Sequence, residues 1–370
     1  MQVDILEPDD PRWKAMLRTT PHDFYALPGY VALSARFDGG QPVGVLAVDG
    51  DDQLLLPLIM REVPRALTGR IQRDAASPYG YPGIVLSAGD PASPAGKAFL
   101  DTAMVAVIAA LRAHGVVSLF VRLHPLLPVD SATLARHGVV VDHGHTVSVD
   151  LLQDEADLFR DLQRNHAKNL RRLDRLGFTC ELDEECGPET IAAFVEVYTE
   201  TMDRLDAAAS YYFDAAYVRD LVAALEGRVA IALVRPDDDQ EVAAVGLFTE
   251  IGGIVQDHIG GTRDEYTRLA PSKLKIREAA KWARARGNRV LHLGGGLGGA
   301  EDKLFAFKAA FSSERHLFQT ARFVVDQPAY EALSANWAVA SGRPVPDLNG
   351  YFPAYRSPTG LPDPAPLRSG

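Results

Sequence analysis

Two stretches of this chain repeat one another at a fixed distance. Ala32-Leu33-Ser34-Ala35-Arg36, followed by Asp38, Gln41, Val43 and Val45, reads like Ile231-Ala232-Leu233-Val234-Arg235, followed by Asp237, Gln240, Val242 and Ala244, at a constant offset of 199 residues. In each copy an apolar run enters a polar turn and returns as a second apolar run, the pattern of a hairpin. A repeat at one offset predicts a duplicated domain. The length of 370 residues agrees, because single cores rarely grow beyond about 250–300 residues.

The periodicities predict strands at 41–48 and 53–61, a long helix at 94–113 and a strand at 116–122 in the first half. The second half reads as helices near 155–176, 188–204 and 214–226, then strands at 229–235, 241–250 and 253–260. A helix at 272–286, opened by Pro271-Ser272, precedes a strand at 289–293, a short helix at 301–311, a strand at 316–325 and a helix at 328–340. The order is α/β of the α+β kind, with antiparallel hairpins in a mixed sheet flanked by helices, not a repeated βαβ pattern. The expected domains are 1–146 and 147–343, with a proline-rich tail, 344–370, extended or partly disordered.

Composition excludes several classes. No apolar run approaches the roughly 20 residues of a membrane span. The amino-terminal residues Met1 to Ile5 lack the basic and apolar regions of an export signal, so a cytoplasmic location is expected. Cys180 and Cys186, the only cysteines, have neither redox nor zinc spacing, no residue set has metal-ligand spacing, and no GxSxG elbow occurs. A net charge of −11, taken alone, argues against a nucleic-acid partner, and no DNA partner is expected.

Against that acidic average stand two cationic helices. Arg160, Arg164, Lys168, Arg171 and Arg175 share one face of the helix at 155–176, opposite Phe159, Leu162, Leu170, Leu173 and Leu176. Lys273, Arg277, Lys281 and Arg284 form a second stripe, with Lys275 and Arg286 beside it. Such faces suit either a solvated surface or a phosphate track, and together they favour a polyanionic substrate. The run 293–299, Leu-Gly-Gly-Gly-Leu-Gly-Gly, satisfies GxGxxG, but too little chain follows it for a Rossmann unit. It is either a tight turn or backbone closely approached by a ligand. In the next helix Leu304, Phe307 and Phe311 form the expected inward stripe, and Lys308 falls inside it. A lysine there must snorkel, pair with an acid or enter a cleft, where it could stabilise an oxyanion. His258 and Asp302 are the candidate proton carriers.

The run 293–296 with Asp302, Leu304-Phe305, Phe307-Lys308 and Phe311 resembles the carboxy-terminal signature of the Fem-like (FemABX-type) branch of the GNAT superfamily, which includes BioF2-like acetyltransferase domains. Ser77-Pro78-Tyr79-Gly80-Tyr81-Pro82-Gly83, His145-Thr146, the 198–204 run, Gly260-Gly261-Thr262 and Ala270-Pro271-Ser272 also match, so the resemblance covers roughly 25–335. It implies two tandem GNAT-like domains and transfer of an aminoacyl group from charged tRNA to an amine of a peptide, cell-wall precursor or small molecule. It assigns Lys308 to the tetrahedral intermediate and the tRNA end, and puts the acceptor between the domains. Arg204, Tyr211, Tyr212, Ser272, Gly295, Gly296 and Tyr79 are then the expected substrate-binding residues. Arg164, Lys168, Arg171, Arg175, Lys273, Arg277 and Lys281 are expected to hold the tRNA acceptor stem, with no tightly bound cofactor. Two departures stand out. The coiled-coil insertion of some members is absent, and the Q/R-x-x-G-x-G/A loop that holds the acetyl-CoA pyrophosphate is replaced by residues 261–272. An acyl-CoA donor remains the alternative, and a catalytically dead binding protein a third reading.

Overall fold

The computed structural model describes residues 1–69, 71–154, 157–237 and 241–358. The helices begin where the chain supplies a cap. Ser93 Oγ accepts from the Gly96 amide ahead of Pro94, Asp302 from Phe305, and Asp326 from Ala329. In chain order the elements are β1 (Gln2–Leu6), α1 (Pro11–Thr19), α2 (Pro28–Asp38), β2 (Gln41–Asp49), β3 (Asp52–Glu62), β4 (Arg73–Ala76), β5 (Val85–Ser87), α3 (Pro94–Ala113), β6 (Val116–Arg122) and α4 (Ser131–Leu134). There follow β7 (Val139–Asp150), α5 (Arg164–Arg175), β8 (Thr179–Asp183), α6 (Pro188–Arg204), α7 (Ala215–Ala224), β9 (Val229–Arg235), β10 (Ala244–Ile251) and β11 (Ile254–Thr262). The chain ends with α8 (Ser272–Ala285), β12 (Val290–Gly294), α9 (Lys303–Ala309), β13 (Arg315–Val324) and α10 (Gln327–Ser341).

The order β-α-α-β-β-β-α-β-α-β occurs twice, from β1 to β7 and from β8 to β13, with β5 as an extra in the first copy. Each copy builds the same sheet. β1-β2-β3-β4 are antiparallel neighbours and β4 pairs β6 in parallel; β8-β9-β10-β11 are antiparallel and β11 pairs β12 in parallel. The fold is mixed α/β with two tandem copies of one domain, as expected, and the duplication shows in this order of elements. Residues 32–36 lie in α2, while 231–235 lie in β9, so the 199-residue offset does not join equivalent elements. Five residues are too few to separate a helix from a strand, and Pro28 at the first helical position favours the helix. Gln240 of that pattern lies outside the described residues.

Contacts divide the chain into Met1–Asp142 with Gln319–Gly370, and His143–Phe318. The expected boundary at 146/147 therefore gives way to an exchange. The copies swap final strands: Thr320–Val324 of β13 completes the first unit's sheet beside β6, and Val147–Asp150 of β7 completes the second beside β12. Residues 319–343, expected in the second domain, belong to the first unit.

In the first unit α3 lays Phe99, Leu100, Ala103, Met104, Val107 and Leu111 onto the sheet residues Val43, Val45, Leu56, Leu58, Leu119 and Val121. This helix is also long and apolar enough, by length and composition alone, to cross a membrane, a test that a core helix packed on a sheet can meet as well. The tail differs from expectation too. Residues 348–358 are docked on the first unit: Phe352, Ala354 and Tyr355 are buried with Tyr330, Leu333 and Trp337. Tyr355 Oη meets Ser118 Oγ at 2.8 Å, Arg322 donates to the Gly350 carbonyl, and Arg356 pairs with Asp74. Residues 359–370 lie outside the described residues.

In the second unit the core lies between α8 and the sheet, where Ile276, Ala279, Ala280 and Ala283 meet Val149, Ala232, Phe248, Val255, Leu291 and Leu293. α5 begins at Arg164, later than the predicted 155; Glu155 and Ala156 lie outside the described residues.

Candidate functional site

β11 and β12 run parallel only from Ile254/Val290 to Gln256/His292. At that point β11 carries a bulge: Leu247 faces Ile259 and Phe248 faces Asp257, which leaves His258 as the extra residue. A bulge bends its strand and redirects its side chains. Beyond it, among the described residues, no ladder pair joins β11 to β12. The two strands part at this bulge, which leaves a wedge between them beyond the last ladder pair.

Charged groups converge on this wedge. Lys308, near the end of α9, donates from Nζ to the Gly295 carbonyl at 2.8 Å. Burial pushes its ammonium down to about 8; the Asp257 charge works against that, Lys275 reinforces it and Asp302 opposes it. Lys275, from α8, pairs with Asp257 at 2.9 Å, the two side chains being only 7% and 10% exposed, and its ammonium lies 5.5 Å from the Phe248 ring centre. The lysine fits only because Gly246 and Gly260, paired across β10 and β11, lack side chains. A Cβ on Gly260 would lie 2.5 Å from the Lys275 ammonium and one on Gly246 would lie 2.9 Å from it.

The expected residues do not all serve as ligand groups. Asp302 caps α9: its two oxygens accept from Phe305 at 2.9 Å and from Leu297 at 3.1 Å. Burial would raise its carboxyl, but the backbone donors outweigh that and hold it below the usual range, which makes it a poor base. His258 is the half-buried bulge residue. The glycine run is explained by close backbone. A Cβ on Gly295 would lie 2.9 Å from the His145 carbonyl, and one on Gly299 2.9 Å from the His143 side chain. Leu304 is 47% exposed, so the inward stripe of α9 is Phe307 and Phe311 without it. Arg204 donates to the Thr262 carbonyl and pairs with Asp264. Tyr211 accepts from Tyr198 through its carbonyl, Tyr212 donates to Asp203, and Ser272 Oγ meets Thr262 Oγ1 at 2.5 Å. Tyr79 belongs to the first unit, where its carbonyl accepts from Tyr30.

The two cationic stripes differ. On α5, Arg164, Lys168, Arg171 and Arg175 are exposed and none forms an ion pair among the described residues. On α8 the stripe is neutralised. Lys273 is buried and donates to Asn169 at 3.1 Å, Arg277 is held by Asp174 and Glu278, and Lys281 by Glu278. Spacing showed the charges but not the partners Asn169 and Asp174 brought in from α5. Lys273, Arg277 and Lys281 therefore form no free phosphate track.

Sequence reasoning missed Asp257 and His166, and read Lys275 only as a neighbour of the cationic stripe. His166 was legible as the gap in the α5 apolar stripe, four residues from both Leu162 and Leu170. Asp257 and Lys275 join only across the sheet. Burial pushes the Cys180 thiol up to about 12 and the Cys186 thiol up to about 11, which suits packing rather than nucleophilic chemistry. Among the described residues no group of His, Cys, Asp and Glu could hold a metal ion.

Residues 160–308 match the profile of the acetyltransferase (GNAT) domain family. Among solved structures, FemX aligns at 16% identity with a TM-score of 0.66, covering 90% of this chain and 99% of its own. L-PGS from Bacillus licheniformis aligns at 13% identity and TM-score 0.55, covering 88% and 96%. The C-terminal domain of a putative lysylphosphatidylglycerol synthetase from Agrobacterium fabrum aligns at 15% and 0.54, covering 89% and 95%. No curated protein matches the sequence.

Proposed function

We propose that this protein, whose residues 160–308 match the acetyltransferase (GNAT) domain family and whose fold is like that of FemX, is an acyltransferase that moves an aminoacyl group from aminoacyl-tRNA to a primary amine. The observation that carries the reading is the desolvated Lys308, tethered to Gly295 at the open wedge of β11 and β12. A neutral amine attacks the ester carbonyl and a C–N bond forms. The carbonyl oxygen becomes an oxyanion, the C–O bond to the tRNA ribose breaks, and the ribose oxygen takes the proton lost by the amine. The ester is already activated, so the chain's task is to orient the amine and stabilise the oxyanion. Lys308 suits the second role, because one of its three donors is fixed on Gly295 and the others remain for the oxyanion. No resident cofactor is needed. The exposed α5 cations suit the acceptor stem, and use of charged tRNA implies a cytoplasmic reaction. The acceptor is an amine of a peptide, cell-wall precursor or small molecule.

The acyl-CoA alternative is disfavoured by the segment leading into α8. There the amides of Leu269, Ala270, Lys273, Leu274 and Lys275 donate to Tyr266, Thr267, Ala270 and Pro271 carbonyls instead of standing free for a pyrophosphate. Arg263 in the same segment is surrounded by Glu196, Glu200 and Glu241, an unfavourable setting for phosphate.

The test is to incubate the protein with tRNA charged with each radiolabelled amino acid and candidate amines. Ribonuclease-sensitive transfer is expected, with Lys308→Ala lowering kcat about 10²–10³-fold. Transfer that survives ribonuclease and requires CoA would mean the alternative is right.

A further inference from the structure

α9 is only seven residues long, and its position depends on what holds its carbonyls. α5 holds two of them. The amide of Gln163, which caps α5, donates to the Ala310 carbonyl at 2.9 Å, and His166 Nε2 donates to the Phe307 carbonyl at 3.1 Å. Phe307 directly precedes Lys308. The imidazole is 6% exposed and wedged between aromatic rings, with centres 5.4 Å from Phe307 and 4.7 Å from Phe311. Its Nδ1 is buried with no hydrogen-bond partner among the described residues. A histidine bears that cost when its other nitrogen makes a bond the fold requires. Burial, then the nearby Lys273 charge, push it down to about 4 despite the Phe307 carbonyl, so the ring is neutral and Nε2–H is fixed as the donor. His166 lies on the buried side of the helix whose exposed side carries Arg164, Lys168, Arg171 and Arg175.

We propose that His166 is a positioning residue that couples the cationic face of α5 to Lys308, so that a polyanion bound on that face steadies the lysine through the Phe307 carbonyl. The proposal rests on the tRNA reading for the identity of the polyanion, but the linkage can be measured without any transfer reaction. Uncharged tRNA is the probe and amide hydrogen exchange the readout. In the native protein, uncharged tRNA is expected to slow exchange in both α5 and α9 by about three- to tenfold. In His166→Phe, which keeps a ring but loses the donor, protection of α5 persists and that of α9 disappears. His166→Gln, which supplies an amide donor, restores it.

With an active donor and acceptor, His166→Phe should lower kcat about tenfold, the weight of one hydrogen bond, while KM for charged tRNA stays within about twofold. Several outcomes overturn the proposal: no slowing of α9 exchange in the native protein, α9 protection retained in His166→Phe, or unchanged kcat in that variant. If His166→Phe does not fold, His166→Gln decides, since lost coupling in a folded donor-bearing variant also overturns it. Coupling through His166 without any aminoacyl transfer would sink the substrate reading and leave the linkage standing.

Discussion

A half-buried lysine held near 8 is charged at neutral pH at the expense of the fold. Unfolded, Lys308 titrates near 10.4, so between about pH 8 and 10.4 the unfolded chain binds more protons and stability rises with pH. Below pH 8 the whole penalty is present. Lys308→Met should therefore be more stable at pH 7, by about 1–2 kcal/mol after allowing for partial exposure, while its kcat falls about 10²–10³-fold. The advantage should fade as the pH approaches 10, which thermal unfolding across that range would reveal. Activity should run the other way, with kcat falling above about pH 8 as the ammonium is lost. The charges facing Lys308 are Asp257 from β11, Lys275 from α8 and Asp302 ahead of α9. Asp257→Asn should move that alkaline limb to lower pH, and Lys275→Met should move it higher. Shifts in the same direction would show that the ion pair does not tune the lysine.

At the scale of elements, the two basic helices separate by what they face. α5 turns its cations to solvent, whereas α8 commits Lys273, Lys275 and Arg277 to Asn169, Asp257 and Asp174. Replacing Lys168 and Arg171 together by glutamate should weaken tRNA binding and reduce the slope of log K against log salt by about 1.5–2. Lys281→Glu should change that slope little, because Glu278 already occupies the ammonium. Filter binding over a salt series distinguishes the two. The glycines of β10 and β11 make a further test. Gly260→Ala forces a methyl toward the Lys275 ammonium and the Val245 carbonyl, and should destabilise the protein by about 2–4 kcal/mol in denaturant unfolding.

For the whole molecule, the exchanged strands set where the chain can be divided. A fragment of residues 1–146 lacks Thr320–Val324, which pairs with β6, and lacks α10 and the docked tail. It should lose cooperative unfolding and bind hydrophobic dye, whereas supplying residues 315–358 in trans should restore a sharp transition. The tail belongs in that accounting because Tyr355 and Arg356 satisfy Ser118 and the buried Asp74. Proline content predicted an extended or partly disordered tail, but residues 354–356 form a 3-10 turn docked on the first unit. Burial came from Phe352, Ala354 and Tyr355, for which the first unit supplies an aromatic seat.

The amino-acid sequence by itself determined the identity of most elements, since α3, α6, β6 and β9 follow directly from caps, turns and periodicity that act within a few residues. It also marked Lys308 as a cation in an apolar stripe, and left His166 visible as the break in another. Tertiary structure decided which charges remain free, where the domains divide, and which groups surround the lysine. Those outcomes depend on contacts such as Asp257 with Lys275, or Asp174 with Arg277, between residues far apart in the chain. Local periodicity carries no record of a partner that arrives only when the sheet and its helices close.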